Sequence, residues 1–406
     1  MAAGDIPFRQ PLPVAGIRIG TAAAGIKRTD RKDLVLFELA VGSECAAVFT
    51  RNAFCAAPVL VARDHLCRQG PRYLLINSGN ANAGTGVQGV QAALETCRMV
   101  ARLADVAETS VMPFSTGVIG QPLPLEKFAS AIPIAFSSLD AGAWADAAHA
   151  IMTTDTLPKA KSETVDIDGR TVTVSGIAKG AGMIRPDMAT MLAYVATDAA
   201  VSRKALQDML TDAVRRSFNR ISVDGDTSTN DACVLISTGQ ARNTSIADAS
   251  SAQGQALQAA LNRVFAFLAE AIVRDGEGAT KFIRIRVEGG FSEKECSGVA
   301  YTIAHSPLVK TAFFASDANW GRVLAAIGRA GVSGLDISAI TIDLNGVRIV
   351  EGGSRAASYT EEAGQEAMRP TEIDLVVDLA RGEAGAEVWT CDLSFDYVRI
   401  NAEYRT

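Results

Sequence analysis

The sequence predicts an α+β fold built in layers, and three observations carry that prediction. Strand-like alternation and helix-like periodicity both recur along the chain. They come in mixed order, which favours layered α+β over a strict strand-helix-strand repeat. With 406 residues, 48% of them hydrophobic, the chain can bury the large core of two domains or of one large layered domain.

The elements follow in order along the chain. Residues 33–39 read as a strand, and 87–103 place apolar residues three and four apart, as an amphipathic helix does. Residues 163–175 alternate around Asp168-Gly169, a pair suited to a two-residue hairpin turn. Helical spacing returns at 203–218 and 253–274, the latter behind an exposed Ala-, Ser- and Gln-rich lead-in at 248–255. Residues 281–287 alternate strictly from Lys281 through Phe282, Ile283, Arg284, Ile285 and Arg286 to Val287, a half-buried strand. A helix at 317–330 and strands at 339–344 and 373–379 complete the pattern. No repeat, heptad array or low-complexity linker marks a domain boundary.

Composition narrows the function. With 39 Lys and Arg against 45 Asp and Glu, the net charge is −6, so no basic field serves nucleic acid or an anionic membrane. A small molecule is the expected ligand. The first ten residues lack a signal peptide's apolar stretch, and no window approaches the roughly 20 uninterrupted apolar residues of a membrane helix, so a cytoplasmic protein is expected. Seven scattered cysteines without a Cys-x-x-Cys pair read as reduced thiols. The three histidines, His65, His149 and His305, are isolated, leaving little material for a zinc site or a Ser-His-Asp triad.

The segment from Lys179 to Ala193 offers another chemistry. Gly180 and Gly182 permit positive φ and Pro186 stops any helix, so a bent, tightly held loop is expected between two strand-like runs. In such a loop the Thr190 hydroxyl can attack the carbonyl of Ala189, shift the amide to an ester, and let water release a new amino terminus. The freed α-amine, with a pKa of about 7.7 to 8, then serves as the threonine's own base. The same residues also allow a plain strand crossover with Thr190 merely hydrogen-bonded.

This segment resembles the signature of the ornithine acetyltransferase (glutamate N-acetyltransferase, ArgJ) family. Further similar blocks are Asn77-Ser78-Gly79-Asn80-Ala81-Asn82-Ala83, Ser115-Thr116-Gly117-Val118-Ile119-Gly120 and Ile151-Met152-Thr153-Thr154-Asp155-Thr156, with others at 219–231, 315–322 and 397–406. One block departs: Gly84 stands where Cys is usual in that family.

The resemblance implies a layered α+β sandwich, self-cleaved into associated fragments 1–189 and 190–406 that pair into a heterotetramer. It implies transfer of acetyl from N2-acetylornithine to glutamate through an acetyl-Thr190 ester, within arginine biosynthesis. No cofactor is implied, although acetyl-CoA is a possible second donor. Thr116 and Gly117 would form the oxyanion hole, since a hydroxyl and a glycine N–H are suitable donors. Thr153 or Thr154, Lys179, Thr190, Glu277, Asn401 and Thr406 would bind substrate. Lys179 would hold a carboxylate or steady negative charge, and Glu277 would receive the ornithine ammonium.

Taken without the resemblance, the same residues read as a turn at 115–117, a surface lysine and a solvated helix-end charge. The carboxylates Asp224, Asp226 and Asp231 lie among Ser and Thr that suit a hydrogen-bonded turn, so no metal is assigned. A self-cleaving hydrolase similar to the β-aminopeptidases remains an alternative, as does a non-catalytic metabolite-binding protein.

Overall fold

The strand Leu34–Leu39 is buried on both faces, and its alternation sorts side chains into two cores. Val35, Phe37 and Leu39 enter one, while Leu34 and Leu36 enter the other. A strand of this kind belongs to a sheet covered on both sides. The computed structural model, which describes residues 2–185 and 191–403, has that arrangement.

The chain forms two compact units. The larger comprises Pro7–Asn219 and Asp226–Ile272; the smaller comprises Met1–Ile6, Arg220–Gly225 and Val273–Thr406.

In the larger unit, a four-stranded sheet runs in the order Ile17–Ala22, Leu34–Leu39, Tyr73–Asn80, Val111–Val118. A five-stranded sheet runs Glu44–Phe49, Ala232–Ser237, Leu192–Thr197, Arg170–Lys179, Lys159–Ile167. Their facing sides share one core, in which the Tyr194 ring stacks 5.6 Å from Phe37 and 5.3 Å edge-on from Phe114. The outer side of the four-stranded sheet is covered by helices Gly86–Ala104 and Leu125–Ser137. The outer side of the five-stranded sheet meets helix Ala252–Arg274, which approaches closely at Gly176: a β-carbon there would stand 3.0 Å from Val264 and 3.2 Å from Leu268. This is the expected layered α+β sandwich, helix-sheet-sheet-helix.

Helix Ala252–Arg274 is long and apolar enough to cross a membrane, with a mean hydropathy of 1.4. Its apolar residues Leu257, Leu261, Val264, Phe265, Leu268 and Ile272 are buried in the protein, as befits a core helix. The hairpin Lys159–Ile167 to Arg170–Lys179 closes through Asp168 (φ 54°) and Gly169 (φ 74°), the left-handed pair that the two-residue turn requires.

The smaller unit packs helices Glu293–Ala304, Pro307–Phe314 and Trp320–Gly328 against a seven-stranded sheet. Strand Phe282–Gly290 pairs parallel with Glu372–Asp378 and antiparallel with Ala384–Cys391. Its Ile283, Ile285 and Val287 enter the core, while Arg284 bridges Glu372 and Asp374 on the opposite face. The helix expected from residue 317 begins instead at Trp320, because Asn319 caps it by accepting the Arg322 N–H. The strand expected from residue 339 begins at Thr341, after a 3-10 turn at Ile337–Ala339.

All seven cysteines are unbridged; five are buried, Cys55 is half-buried and Cys67 exposed.

Candidate active site

In the larger unit, three chain segments meet at the ends of parallel strands Tyr73–Asn80 and Val111–Val118. The pairing sets Ser78 beside Thr116 and Gly79 beside Gly117, then slips in register at Asn80. Gly117 has φ +134°, and a β-carbon there would lie 2.3 Å from the Gly79 carbonyl carbon, so no other residue fits.

Thr116 is buried, and its Oγ1 accepts a hydrogen bond of 3.0 Å from Lys179 Nζ. Lys179 ends its strand half-buried and is not the surface lysine of the unaided sequence reading. A hydroxyl that accepts from an ammonium keeps its own hydrogen for another acceptor, which suits Thr116 to donate to an oxyanion.

Asp155 ties the 151–156 block to this cluster. Its Oδ1 accepts from Lys159 Nζ and from the Gly180 N–H, both at 2.7 Å, and its Oδ2 accepts the Thr153 N–H at 2.9 Å. Burial alone would push the Asp155 carboxyl up; the charges of Lys159 and Lys179, with these hydrogen bonds, outweigh it and hold the group far below the usual carboxylate range. The Asp155–Lys159 pair is completely enclosed. Thr153 and Thr154 flank it half-buried, and the structure gives neither precedence as a substrate contact.

Asp231 is the contrasting carboxyl. It immediately precedes strand Ala232–Ser237, is 3% exposed, and its Oδ2 meets no hydrogen-bond partner among the described residues. Burial raises its pKa well above the ordinary value, and the Ser228 hydrogen bonds and the Lys179 charge offset this only in part. Neither disposition is legible in the sequence, because two buried acids look alike as letters.

Among the described residues of the central loop, Gly180 (φ +156°), as expected, and Met183 (φ 56°) adopt positive φ. Ala181 and Ile184 are buried on either side and pin the bend. Ala189, Thr190 and the terminal Thr406 lie outside the described residues. Gly84, the departure in the 77–86 region, has φ +69°, a conformation that cysteine rarely adopts.

In the smaller unit, Glu277 is 7% exposed and its Oε2 accepts a 2.7 Å hydrogen bond from Asn401 Nδ2. Asn401 sits on the last helix, Phe395–Ala402, which lies against the Asp275–Gly278 turn. A β-carbon on Gly278 would come within 2.5 Å of the Tyr397 nitrogen, and Ser394 Oγ donates to the Gly278 carbonyl. Helix Phe395–Ala402 is therefore docked, and it brings two expected site residues, Glu277 and Asn401, together.

The chain matches known proteins over nearly its whole length. The ArgJ family model matches residues 18–406. The arginine biosynthesis bifunctional protein ArgJ of Methylococcus capsulatus is 62% identical over 394 residues, covering 97% of this chain and 96% of that protein. The protein of the same name from Pseudomonas syringae pv. tomato is 54% identical over 407 residues, with full coverage of both. A solved structure of the Bacillus halodurans ArgJ protein aligns with a TM-score of 0.50 at 38% identity, covering 52% of this chain and 99% of that one. Matched along nearly its whole length, this chain belongs to the ArgJ family.

Proposed function

We propose that this chain is a self-processing glutamate N-acetyltransferase of arginine biosynthesis, which moves acetyl from N2-acetylornithine to glutamate through Thr190. The observation that carries the reading is the Lys179–Thr116 contact beside Gly117, a donor pair whose hydroxyl hydrogen is left available for an oxyanion. The relatives' names, which describe bifunctional proteins of arginine biosynthesis, support the same role.

Two reactions use one set of groups. In maturation, Thr190 Oγ attacks the Ala189 carbonyl, the amide bond breaks, and water hydrolyses the resulting ester to give fragments 1–189 and 190–406. In turnover, Oγ attacks the acetyl carbonyl, the Thr190 α-amine having taken its proton. The acetyl C–N bond then breaks and ornithine leaves with a proton returned by the α-ammonium. The α-amine of glutamate next attacks the ester and restores the hydroxyl.

Each tetrahedral intermediate carries an oxyanion that faces the Thr116 hydroxyl and the Gly117 N–H. Lys179 polarises Thr116 and steadies the charge. Glu277 receives the ornithine ammonium, Asn401 and Thr406 supply neutral contacts, and Thr153 or Thr154 also contacts substrate. The paired fragments assemble as a heterotetramer in the cytoplasm, and acetyl-CoA is a second acetyl donor.

The test is acetylglutamate formation with acetylornithine and, separately, with acetyl-CoA, alongside mass analysis of the denatured protein. Two fragments, parallel double-reciprocal lines and an acetylated Thr190 when glutamate is withheld are expected. An intact yet active chain rules out self-processing. Release of free acetate at the same rate with and without glutamate makes the protein a hydrolase instead.

A further inference from the structure

Thr116 and Gly117 sit where the regular sheet ladder breaks down, so something other than the ladder must fix their orientation. The parallel pairing slips at Gly79 and Asn80, and Gly117 is a glycine, whose backbone resists displacement least. The bonds that replace the ladder converge on one side chain. Asn230 Nδ2 donates to the Ser115 carbonyl at 2.9 Å and to the Ala81 carbonyl at 2.6 Å. The Ala81 N–H in turn donates to the Val118 carbonyl at 2.9 Å. These bonds close a ring around Thr116 and Gly117, from Ser115 along the chain to Val118, across to Ala81 and back through Asn230.

The side chain that closes this ring is itself held. Asn230 is 6% exposed, and its Oδ1 accepts from Thr229 Oγ1 at 2.6 Å, so both amide hydrogens and the carbonyl oxygen are engaged. With two carbonyls facing Nδ2, the amide has one sensible orientation. Its backbone is pinned from the 50–56 segment: Thr50 Oγ1 donates to Ser228 O at 2.8 Å, Asn52 Nδ2 to Thr227 O at 2.9 Å, and the N–H groups of Ala56 and Thr50 to Thr229 O and Asp231 O, each at 2.9 Å. Rigid support of this kind is what a donor pair needs if it is to match a transition state within a fraction of an ångström.

We propose that Asn230 is a positioning residue that fixes the Thr116–Gly117 donor pair through the Ser115 and Ala81 carbonyls. The inference rests on the oxyanion role of Thr116 and Gly117 set out above. Asn230 touches no reacting atom in this account; it acts through the peptide it holds.

The experiment compares Asn230→Ala, Asn230→Asp, Thr116→Ala and the double variant Asn230→Ala/Thr116→Ala in the full-length chain, reading the rate of self-cleavage, then kcat and KM of the cleaved protein, and thermal unfolding. Asn230→Ala should slow cleavage and kcat together by about ten- to a hundred-fold, less than the roughly hundred- to thousand-fold expected for loss of a donor outright. Its KM should stay within about three-fold, because substrate binding is not the thing disturbed. Asn230→Asp, nearly the same shape, should be at least as slow, since it sets carboxylate oxygen against two carbonyl oxygens.

In the double variant, loss of Asn230 should cost much less than it does alone, since the donor it positions is already gone. Should the Asn230 variants fail to fold, Thr229→Val, which frees the Asn230 amide without removing it, must show the same joint fall in cleavage and kcat at a smaller size. Wild-type rates in Asn230→Ala or Thr229→Val beside a slow Thr116→Ala overturn the positioning role alone, as does full additivity in the double variant. A Thr116→Ala protein that cleaves and turns over like wild type overturns the oxyanion reading on which it rests.

Discussion

The polar cluster around Lys179 and the Glu277–Asn401 pair solve the problem of buried charge in different ways. In the larger unit, Asp155 is surrounded by the ammonium groups of Lys159 and Lys179 and by backbone donors, so its charge is compensated several times over. In the smaller unit, Glu277 is almost as enclosed, yet the hydrogen bond it accepts from Asn401 comes from a neutral amide. A fully neutralised carboxylate is structural scaffolding. One held by an amide keeps its net charge available for a cationic ligand. Asp155 thus differs from Glu277, the carboxylate proposed to read the substrate, in the charge placed around it.

The sharpest way to break this contrast is Asp155→Asn. It takes the Asp155 carboxylate away from the enclosed Lys159, and breaking a buried pair in this way costs about 3 to 5 kcal/mol. Denaturant unfolding should show that loss at neutral pH, with much of it recovered when Lys159→Met is added. The Asp155 pKa is lowered in the fold, so its contribution is present above the unfolded value of about 3.9 and lost as pH falls through the folded value. The gap between wild type and variant should accordingly close in strong acid.

Thr116→Ala comes next and tests chemistry rather than stability. Cleavage and turnover should both slow by about a hundred- to a thousand-fold, equivalent to about 2.7 to 4 kcal/mol. Quench-flow or gel-based timing of the two processes checks it, and an unfolding midpoint near wild type is expected.

Glu277→Gln sharpens the other half of the comparison. Glutamine still offers Asn401 an oxygen, so docking of the last helix should persist while the charge disappears. Use of acetylornithine should weaken by about ten- to a hundred-fold in kcat/KM, the worth of a charge-assisted hydrogen bond of about 1.5 to 3 kcal/mol. Use of glutamate should change much less. Equal losses for both substrates make Glu277 a structural residue after all.

The smallest effect is expected at Asp231, whose pKa is raised by burial. Its contribution to stability is full below the unfolded value of about 3.9 and declines as pH rises through the folded value. Asp231→Asn removes that decline. Its melting temperature should improve relative to wild type as pH is raised from acid toward neutral, and a constant difference across that range counts against a raised pKa.

Much of this protein was legible in its sequence. Alternation in residues 281–287 placed Ile283, Ile285 and Val287 inside because the strand period is fixed by covalent geometry. Asp168-Gly169 marked its hairpin because few residues tolerate two successive left-handed positions. At the Ser115-Thr116-Gly117 block the letters alone read as a turn and the resemblance implied a donor pair; Gly117 stands where a side chain cannot fit.

What the sequence left open was decided by residues far apart along the chain. Asn230 reads as one polar residue in a turn until folding sets it against Ser115 and Ala81, and nothing local distinguishes the charge-surrounded Asp155 from the protonation-prone Asp231. Lys179 likewise passes for a surface lysine until its strand end meets Thr116. Backbone preference and side-chain period are local properties and can be read from letters. Burial, ionisation and hydrogen-bond partnership depend on what the whole chain places nearby, so the tertiary structure alone settled them.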